Sequence, residues 1–170
     1  MKKWIAVVLI GMLLCGCGPE KPAESETQLP VLPTEPAKPT AGEIGVWIPE
    51  EAVSEAMAEA SQGQIYSWDA YEMRLQTVDG GDIQRTMEQL TGMDYDRLTV
   101  MNRKKGDLEL YQTVWRAAGE EGTLIGRAVV ADDGHYHYCV SLTAPEQVDS
   151  EAVYDRICQT LAIVDPESKK

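Results

Sequence analysis

Alternation of apolar and polar residues predicts most of the strands in this sequence. Residues 70–78 alternate, with Tyr71, Met73 and Leu75 on one side, as in a strand that has one buried face. Four similar runs are joined by short connectors rich in Gly, Asp and Lys. They cover residues 98–102, 108–117, 123–131 and 136–143. Strands joined by short turns pair with their chain neighbours, so we expect an antiparallel meander.

Three segments instead carry the start and stop signals of helices. The first covers residues 49–61, begins with proline and acidic residues, and ends before Gly63. The second runs from a capping Asp82 to Gly92, and the third covers residues 150–163, with an apolar stripe that fits one face of the meander. We therefore expect an α+β sandwich in which helices pack on a five- or six-stranded, mostly antiparallel sheet.

Three strand sequences in the meander carry a family resemblance. They are LYQTVW (residues 110–115), EEGTLIGRAVV (residues 120–130) and YHYCVSL (residues 136–142), the last of which precedes the terminal helix. This order resembles the PsbP-like family, which includes Mog-type Ran-binding proteins and many bacterial lipoproteins. The resemblance implies a binding or assembly module and transfers no active site. It does not account for the predicted helix at residues 49–61.

The beginning of the chain has the pattern of an export signal. Lys2 and Lys3 precede an apolar run at residues 4–14, which is too short to cross a membrane core that needs about 20 residues. The following Leu-Cys-Gly-Cys resembles a bacterial lipobox, with Gly16 before Cys17. The resemblance implies cleavage before Cys17, a diacylglycerol and an acyl chain on Cys17, and an extracytoplasmic protein anchored by lipid to the bacterial cell membrane.

Two other interpretations of Cys15 and Cys17 are a redox pair and a metal clip. The C-x-C spacing lacks the two-residue spacer of the usual redox motif, and no second pair of ligands follows nearby. Both interpretations are therefore disfavoured.

Composition divides the chain into four parts. We place the signal peptide at residues 1–16, the lipidated tether at 17–43, a single domain at 44–166 and a tail at 167–170. The tether holds six of the nine prolines and few apolar residues, so it cannot build a core. Its proline spacing also suits an SH3-type ligand, but a spacer between membrane and domain is the preferred interpretation.

The chain is strongly acidic. It has 28 acidic and 15 basic residues and a formal net charge of -13, which becomes -15 when Lys2 and Lys3 leave with the signal peptide. Nucleic acids and anionic envelope polymers are bound through basic patches. We therefore expect neither as a partner, whereas a protein of the envelope remains a candidate.

Both histidines of the chain lie in HYHYC, residues 135–139. In a strand, His135 and His137 share a face and could hold one metal ion with a third ligand from a neighbouring segment. The simpler interpretation is a polar outer face of the strand. We therefore predict no resident metal and no cofactor other than the lipid on Cys17, and keep the two histidines as metal-site candidates.

Cys139 and Cys158 are the two cysteines of the predicted domain. Export permits a disulfide between them. However, Cys139 alternates with the predicted inner face of its strand, and Cys158 lies beside the apolar stripe of the terminal helix. Two separately buried thiols are the alternative to a bond.

Tyr66, Trp68 and Tyr71 form an aromatic cluster near the start of the domain. Such rings can stack on sugars or peptides, which makes them candidate ligand-binding residues. They can equally fill the core, since the chain has no Phe.

No common catalytic motif is present in the sequence, so we do not predict an enzyme. The preferred hypothesis is a membrane-anchored module that binds or assembles with an envelope protein. A small-ligand or metal-binding module that uses His135 and His137 is the second, and an exported enzyme is the third.

Overall fold

The computed structural model describes residues 39–57 and 62–165. The predicted signal peptide, the lipidation site Cys17, most of the predicted tether and the predicted tail lie outside the described residues.

The described residues form nine strands, two α-helices and one short 3-10 helix. The strands are β1 (Glu43–Gly45), β2 (Val53–Ala56), β3 (Gln62–Trp68), β4 (Tyr71–Asp79), β5 (Val100–Lys105), β6 (Leu108–Gly119), β7 (Gly122–Asp132), β8 (Tyr136–Pro145) and β9 (Ala162–Val164). The helices are α1 (Ile83–Thr91), α2 (Glu151–Thr160) and the 3-10 helix Tyr95–Arg97.

Seven of the strands form one antiparallel sheet in the order β2-β3-β4-β8-β7-β6-β5. The predicted meander is the run from β5 to β8, and its strands pair in chain order. The α+β class is confirmed. The sheet has seven strands, two more than the five that the alternation of apolar and polar residues predicted, because β2 and β3 extend it beyond β4. A separate two-stranded sheet pairs β1 with β9.

The predicted helix at residues 49–61 is wrong. Pro49 is buried and begins a turn in which the Ala52 N–H donates to the Pro49 carbonyl at 3.2 Å. The chain then enters β2, whose four residues are exposed and pair with β3. Pairing with an existing sheet edge therefore overrides the helix propensity of this Ala- and Glu-rich segment.

The helix predicted between Asp82 and Gly92 is confirmed. The Asp82 carboxylate accepts the N–H of Gln84 at 3.0 Å and caps the first turn of α1. Gly92 ends the helix with φ 70°, in the left-handed region that favours glycine, and its N–H donates to the Glu88 carbonyl at 2.8 Å.

The terminal helix is shorter than predicted. It ends at Thr160, and the chain turns into β9, which pairs with β1. Its start is held by the Asp149 carboxylate, which accepts the N–H of Glu151 at 3.0 Å.

Residues near the predicted domain boundary also contact the domain: the Tyr136 hydroxyl donates to the Pro39 carbonyl at 2.9 Å.

Each face of the large sheet is covered by one helix. The α2 side holds the larger core, with Met73, Val129, Val140, Leu142 and Ile157 among its buried members. The α1 side holds a smaller core. It consists of Met87, Val130 and Cys139. All residues of β8 from 137 to 142 are buried, so the prediction that His137 belongs to an exposed polar face of the strand is wrong, whereas His135 precedes β8 and is exposed.

Candidate binding groove between the β5–β6 edge and helix α2

An open groove of about 640 Å³ lies on the α2 side of the sheet. Its first wall is β5, where Met101, Arg103 and Lys105 alternate and so share one face. Its second wall is α2, and β6 and β7 contribute the floor. The α2 residues are Glu151, Tyr154, Asp155, Cys158 and Gln159, and the floor residues include Gln112, Val114 and Arg127.

The groove includes two exposed large apolar side chains. Met101 is 61% exposed and Val114 is 46% exposed. The third large apolar residue with comparable exposure in the described part of the chain is Val53, at 66%, on the opposite edge strand β2. Two of these three side chains therefore lie in this groove.

The groove is a basic region of an acidic domain. Residues 39–57 and 62–165 contain nine Lys and Arg side chains, and four of them line the groove. These are Arg103, Lys104, Lys105 and Arg127. Two acidic residues, Glu151 and Asp155, lie on the α2 wall. Lys104 Nζ is paired with Glu109 Oε1 at 3.1 Å. The groove thus carries a small local excess of positive charge, on Arg103, Lys105 and Arg127, in a chain whose net charge is -13.

The basic side chains differ in how far they are already paired. Lys105 Nζ donates to the Leu161 carbonyl at 2.8 Å. Arg127 Nε donates to Ser150 Oγ at 3.1 Å, and its Nη2 lies 3.8 Å from Glu151 Oε2. Arg103 is exposed and makes no hydrogen bond or ion pair within the described ranges. Its guanidinium is therefore available to an anionic group.

The floor and the α2 wall are joined by a neutral polar network. Gln112 Nε2 donates to the Tyr154 hydroxyl at 3.3 Å and to Cys158 Sγ at 3.4 Å, and the Tyr154 hydroxyl donates to the Ala128 carbonyl at 2.6 Å. Burial raises the pKa of the Tyr154 hydroxyl and of the Cys158 thiol. Both groups therefore stay protonated at neutral pH, and the thiol is a poor nucleophile.

The two histidines are not brought together as a metal site. His135 lies in the exposed turn before β8, whereas His137 is fully buried on the α1 side of the sheet. His137 Nδ1 is hydrogen-bonded to Thr86 Oγ1 of α1 at 2.7 Å, and its Nε2 is 3.7 Å from Asp132 Oδ2 without a hydrogen bond. The described ranges contain no group of three or more metal-binding side chains placed to hold an ion.

Cys139 and Cys158 are free, buried thiols on opposite faces of the sheet. A disulfide between them would have to pass through the sheet, so the candidate bond is not formed. Burial also raises the pKa of Cys139 to about 12. The structure therefore has two separately buried thiols, which was the alternative to a disulfide.

The aromatic candidates are tied into the α2-side core. Trp68 is 7% exposed and stacks on Tyr71 with ring centroids 5.4 Å apart. The Tyr71 hydroxyl donates to the Asp149 carbonyl at 3.2 Å, and that of Tyr66 donates to Gln64 Oε1 at 2.6 Å. Trp68 and Tyr71 are thus used for packing at the α2 end of the domain.

The groove is not evident from the sequence. The alternation predicted a strand that ends at Asn102 and a connector that holds Lys104 and Lys105, whereas β5 continues to Lys105. The available signal was the run Arg103-Lys104-Lys105, which is a rare concentration of positive charge in this acidic chain. Its position beside α2 depends on tertiary packing.

Among the described residues, no helix has the length and apolar character needed to cross a membrane.

No protein-family model matches the sequence, and no curated protein matches it. Solved structures do match in three dimensions. The solution structure of CyanoP, the cyanobacterial PsbP of Synechocystis sp. PCC 6803, is 10% identical with a TM-score of 0.55. The match covers 71% of this chain and 86% of CyanoP.

A second match is a crystal structure, at 1.50 Å resolution, of a protein from Bacteroides thetaiotaomicron VPI-5482. It is 13% identical with a TM-score of 0.52, and the match covers 73% of this chain and 46% of that one. This chain therefore spans less than half of the Bacteroides protein. At these identities the similarity concerns the fold alone. The fold is PsbP-like, as the sequence resemblance implied.

Proposed function

We propose that this protein is a lipid-anchored, extracytoplasmic bacterial lipoprotein whose domain binds an envelope protein noncovalently through the groove beside α2. The observation that carries the proposal is the combination of exposed Met101 and Val114 in one open groove with the guanidinium of Arg103, which has no hydrogen bond or ion pair to the described residues. Met and Arg are enriched in protein interfaces, where their long side chains supply apolar area and directed hydrogen bonds.

The anchoring part of the proposal rests on the sequence pattern at the beginning of the chain. A positive start, a short apolar run and Leu-Cys-Gly before Cys17 match the requirements of lipoprotein processing. Two or more acyl chains hold a protein on a bilayer, because each buried CH2 contributes about 0.8 kcal/mol. The proline-rich segment that follows would separate the domain from the membrane surface.

The anchoring is tested by labelling growing cells with a fatty acid that carries a clickable group. The wild-type chain should take up the label and sediment with membranes, whereas Cys17→Ala should lose the label. Cys15→Ala is the matched control and should retain it. Equal labelling of wild type and Cys17→Ala would contradict the anchor.

The binding part is tested by capture of the tagged, lipidated protein from its own membranes. One specific protein should co-purify with wild type, and Arg103→Glu or Met101→Asp should reduce its yield at least tenfold. Arg85→Glu and Val53→Asp introduce the same acidic residues at an exposed Arg and an exposed apolar residue away from the groove, and they should leave the yield unchanged. A partner retained by both groove variants would contradict this assignment.

A further inference from the structure

The geometry of β5 indicates what kind of segment of a partner protein would bind here. This inference rests on the proposed function. β5 is an edge strand of the large sheet: within residues 39–57 and 62–165 it pairs with β6 and with no second strand. Its outer backbone N–H and carbonyl groups can therefore accept an added strand.

The side chains of β5 that face the groove form a short pattern. Met101, Arg103 and Lys105 are separated by two residues each, which places neighbours about 6.6 Å apart along the strand. Along this face of β5, one apolar side chain is thus followed by two positively charged side chains. Lys105 uses one of its three N–H donors on the Leu161 carbonyl and keeps the others.

We propose that the free edge of β5 beside the groove binds an extended acidic segment of the partner protein, which adds to β5 as an antiparallel strand with alternate side chains on the groove side of the sheet. Two carboxylates at alternate positions of this segment pair with Lys105 and Arg103, and an apolar side chain two residues later packs on Met101. Every pair of strands in the sheet is antiparallel, so the added strand continues the existing pattern.

Charge complementarity favours this occupant over a second copy of the chain. Edge-to-edge pairing of two β5 strands would bring two Arg-Lys-Lys runs together, and like charges on adjacent strands destabilise the pairing. The positive charges of Arg103, Lys104 and Lys105 oppose nonspecific pairing at the open edge, and they attract an acidic segment.

The groove is also better suited to a peptide than to an anionic lipid or a free phosphate. Glu151 and Asp155 on the α2 wall would repel a broad anionic surface. A strand lying along β5 keeps its carboxylates on the basic wall, and exposed Met101 gives it an apolar contact that a phosphate group cannot use.

The test uses the full-length, lipidated protein in zwitterionic detergent and three fluorescent peptides. The probe is Thr-Glu-Thr-Glu-Thr-Val-Thr, which presents both glutamates and the valine on one side of a strand. Thr-Thr-Glu-Glu-Thr-Val-Thr has the same composition but places only one glutamate on that side. Thr-Lys-Thr-Lys-Thr-Val-Thr reverses the charge. Glycerol phosphate serves as the anionic headgroup probe.

We expect the first peptide to bind at least tenfold more tightly than the other two, because one charge-assisted hydrogen bond contributes about a factor of ten in affinity. Arg103→Glu should weaken this binding at least tenfold, and the control Arg85→Glu should not. Amide shifts on binding should be largest at residues 100–105.

Equal affinity for the two acidic peptides, or no loss in Arg103→Glu, would overturn the strand-addition proposal. Binding of glycerol phosphate at the groove as tight as that of the first peptide would also overturn it, in favour of an anionic headgroup. If none of the peptides binds while Arg103→Glu still abolishes capture of the partner, the acidic-strand proposal fails and the proposed function stands.

Discussion

At the scale of single residues, His137 shows how a polar side chain is held inside this fold. It is fully buried between the sheet and α1, with Nδ1 hydrogen-bonded to Thr86 Oγ1 at 2.7 Å. A buried polar group without a partner costs about 1–3 kcal/mol. Thr86 therefore satisfies one ring nitrogen of His137 and links α1 to the sheet.

Thr86→Val keeps the side-chain shape and removes this partner, so we expect the free energy of unfolding to fall by about 1–3 kcal/mol. Urea denaturation measures the change. Thr123→Val, at an exposed position of β7, is the matched control and should change the free energy by less than about 0.5 kcal/mol. Equal stability of the two variants would show that the Thr86 hydrogen bond contributes nothing.

Asp133 links the β7–β8 turn to the start of the domain. Its Oδ1 accepts the N–H groups of His135 and Tyr136 at 2.8 Å and 2.7 Å, and its Oδ2 accepts the Tyr138 hydroxyl at 2.8 Å. The Tyr138 hydroxyl in turn accepts the N–H of Gly42 at 3.0 Å. Partial burial opposes ionisation of the carboxyl, but these hydrogen bonds outweigh it and hold the pKa of Asp133 below its ordinary value of 3.8.

A lowered folded-state pKa makes the contribution of Asp133 dependent on pH. The stabilisation is present above about pH 4, where the unfolded carboxyl is also ionised, and is lost as the pH falls through the folded-state pKa. We expect Asp133→Asn to lower the free energy of unfolding by about 1 kcal/mol at pH 7 and to flatten its decline between about pH 5 and pH 2. Urea titrations across this range measure both effects.

The matched control for Asp133 is Asp107→Asn in the exposed β5–β6 turn. It should follow the wild-type pH dependence. If Asp133→Asn shows the same decline below pH 4 as wild type, the turn hydrogen bonds are not the source of the acid sensitivity.

The sequence predicted only part of this residue-scale picture. It assigned His137 and Cys139 to one face of the strand correctly, but took that face to be exposed. Alternation reports which side chains share a face, and it does not report whether a second helix covers that face. The burial of His137 depends on α1, which precedes β8 by about 50 residues in the chain.

At the scale of elements, β6 and β7 show how paired strands fix each other. Trp115 of β6 lies directly opposite Gly126 of β7, and its ring covers the glycine. A Cβ on residue 126 would meet the indole ring. The aromatic ring thus takes the space that a side chain at position 126 of β7 would occupy.

Gly126→Ala should lower the free energy of unfolding by about 1–3 kcal/mol, because overpacking forces Trp115, which is 7% exposed, out of its position. In a Trp115→Leu background the same change should cost less than about 1 kcal/mol. A double-mutant cycle by urea denaturation measures this coupling. If Gly126→Ala lowered the free energy of unfolding equally with Trp115 and with Leu at position 115, the destabilisation would not come from a clash with the indole ring.

Elements with a strong repeating pattern were predictable, and elements without one were not. The five strands from β4 to β8 and the capped helix α1 have clear alternation or caps. β2 has exposed residues only and lies in a segment rich in helix formers, so its structure depends on pairing with β3. Propensity is a weak guide where an open sheet edge is available.

At the scale of the whole molecule, the two ends of the domain are joined by the small sheet of β1 and β9. Ile44 pairs with Ile163, and both side chains pack against the α2-side core. Lys105 also donates to the Leu161 carbonyl immediately before β9. The groove wall formed by β5 is therefore held in place partly by the end of the chain. Strands of three residues are too short to show a pattern, so this closure could not be predicted.

Ending the chain after Leu161 removes β9 and leaves β1 without a partner. We expect the free energy of unfolding to fall by roughly 2 kcal/mol, from lost burial of Ile163 and lost backbone hydrogen bonds. Hydrogen exchange at Ile44 should accelerate. A chain that ends after Asp165 keeps β9 and is the control; indistinguishable stability of the two truncations would contradict a closing role for the small sheet.

We propose that the groove beside α2 is the surface through which the protein binds its partner. Site-specific photo-crosslinking in intact membranes tests it most directly, with the photoreactive residue at position 101 in the groove or at position 53 on the opposite edge. We predict one discrete crosslinked protein from position 101, lost when Arg103→Glu is added, and none from position 53. Crosslinking from position 53 alone, or from position 101 without sensitivity to Arg103→Glu, would contradict the account.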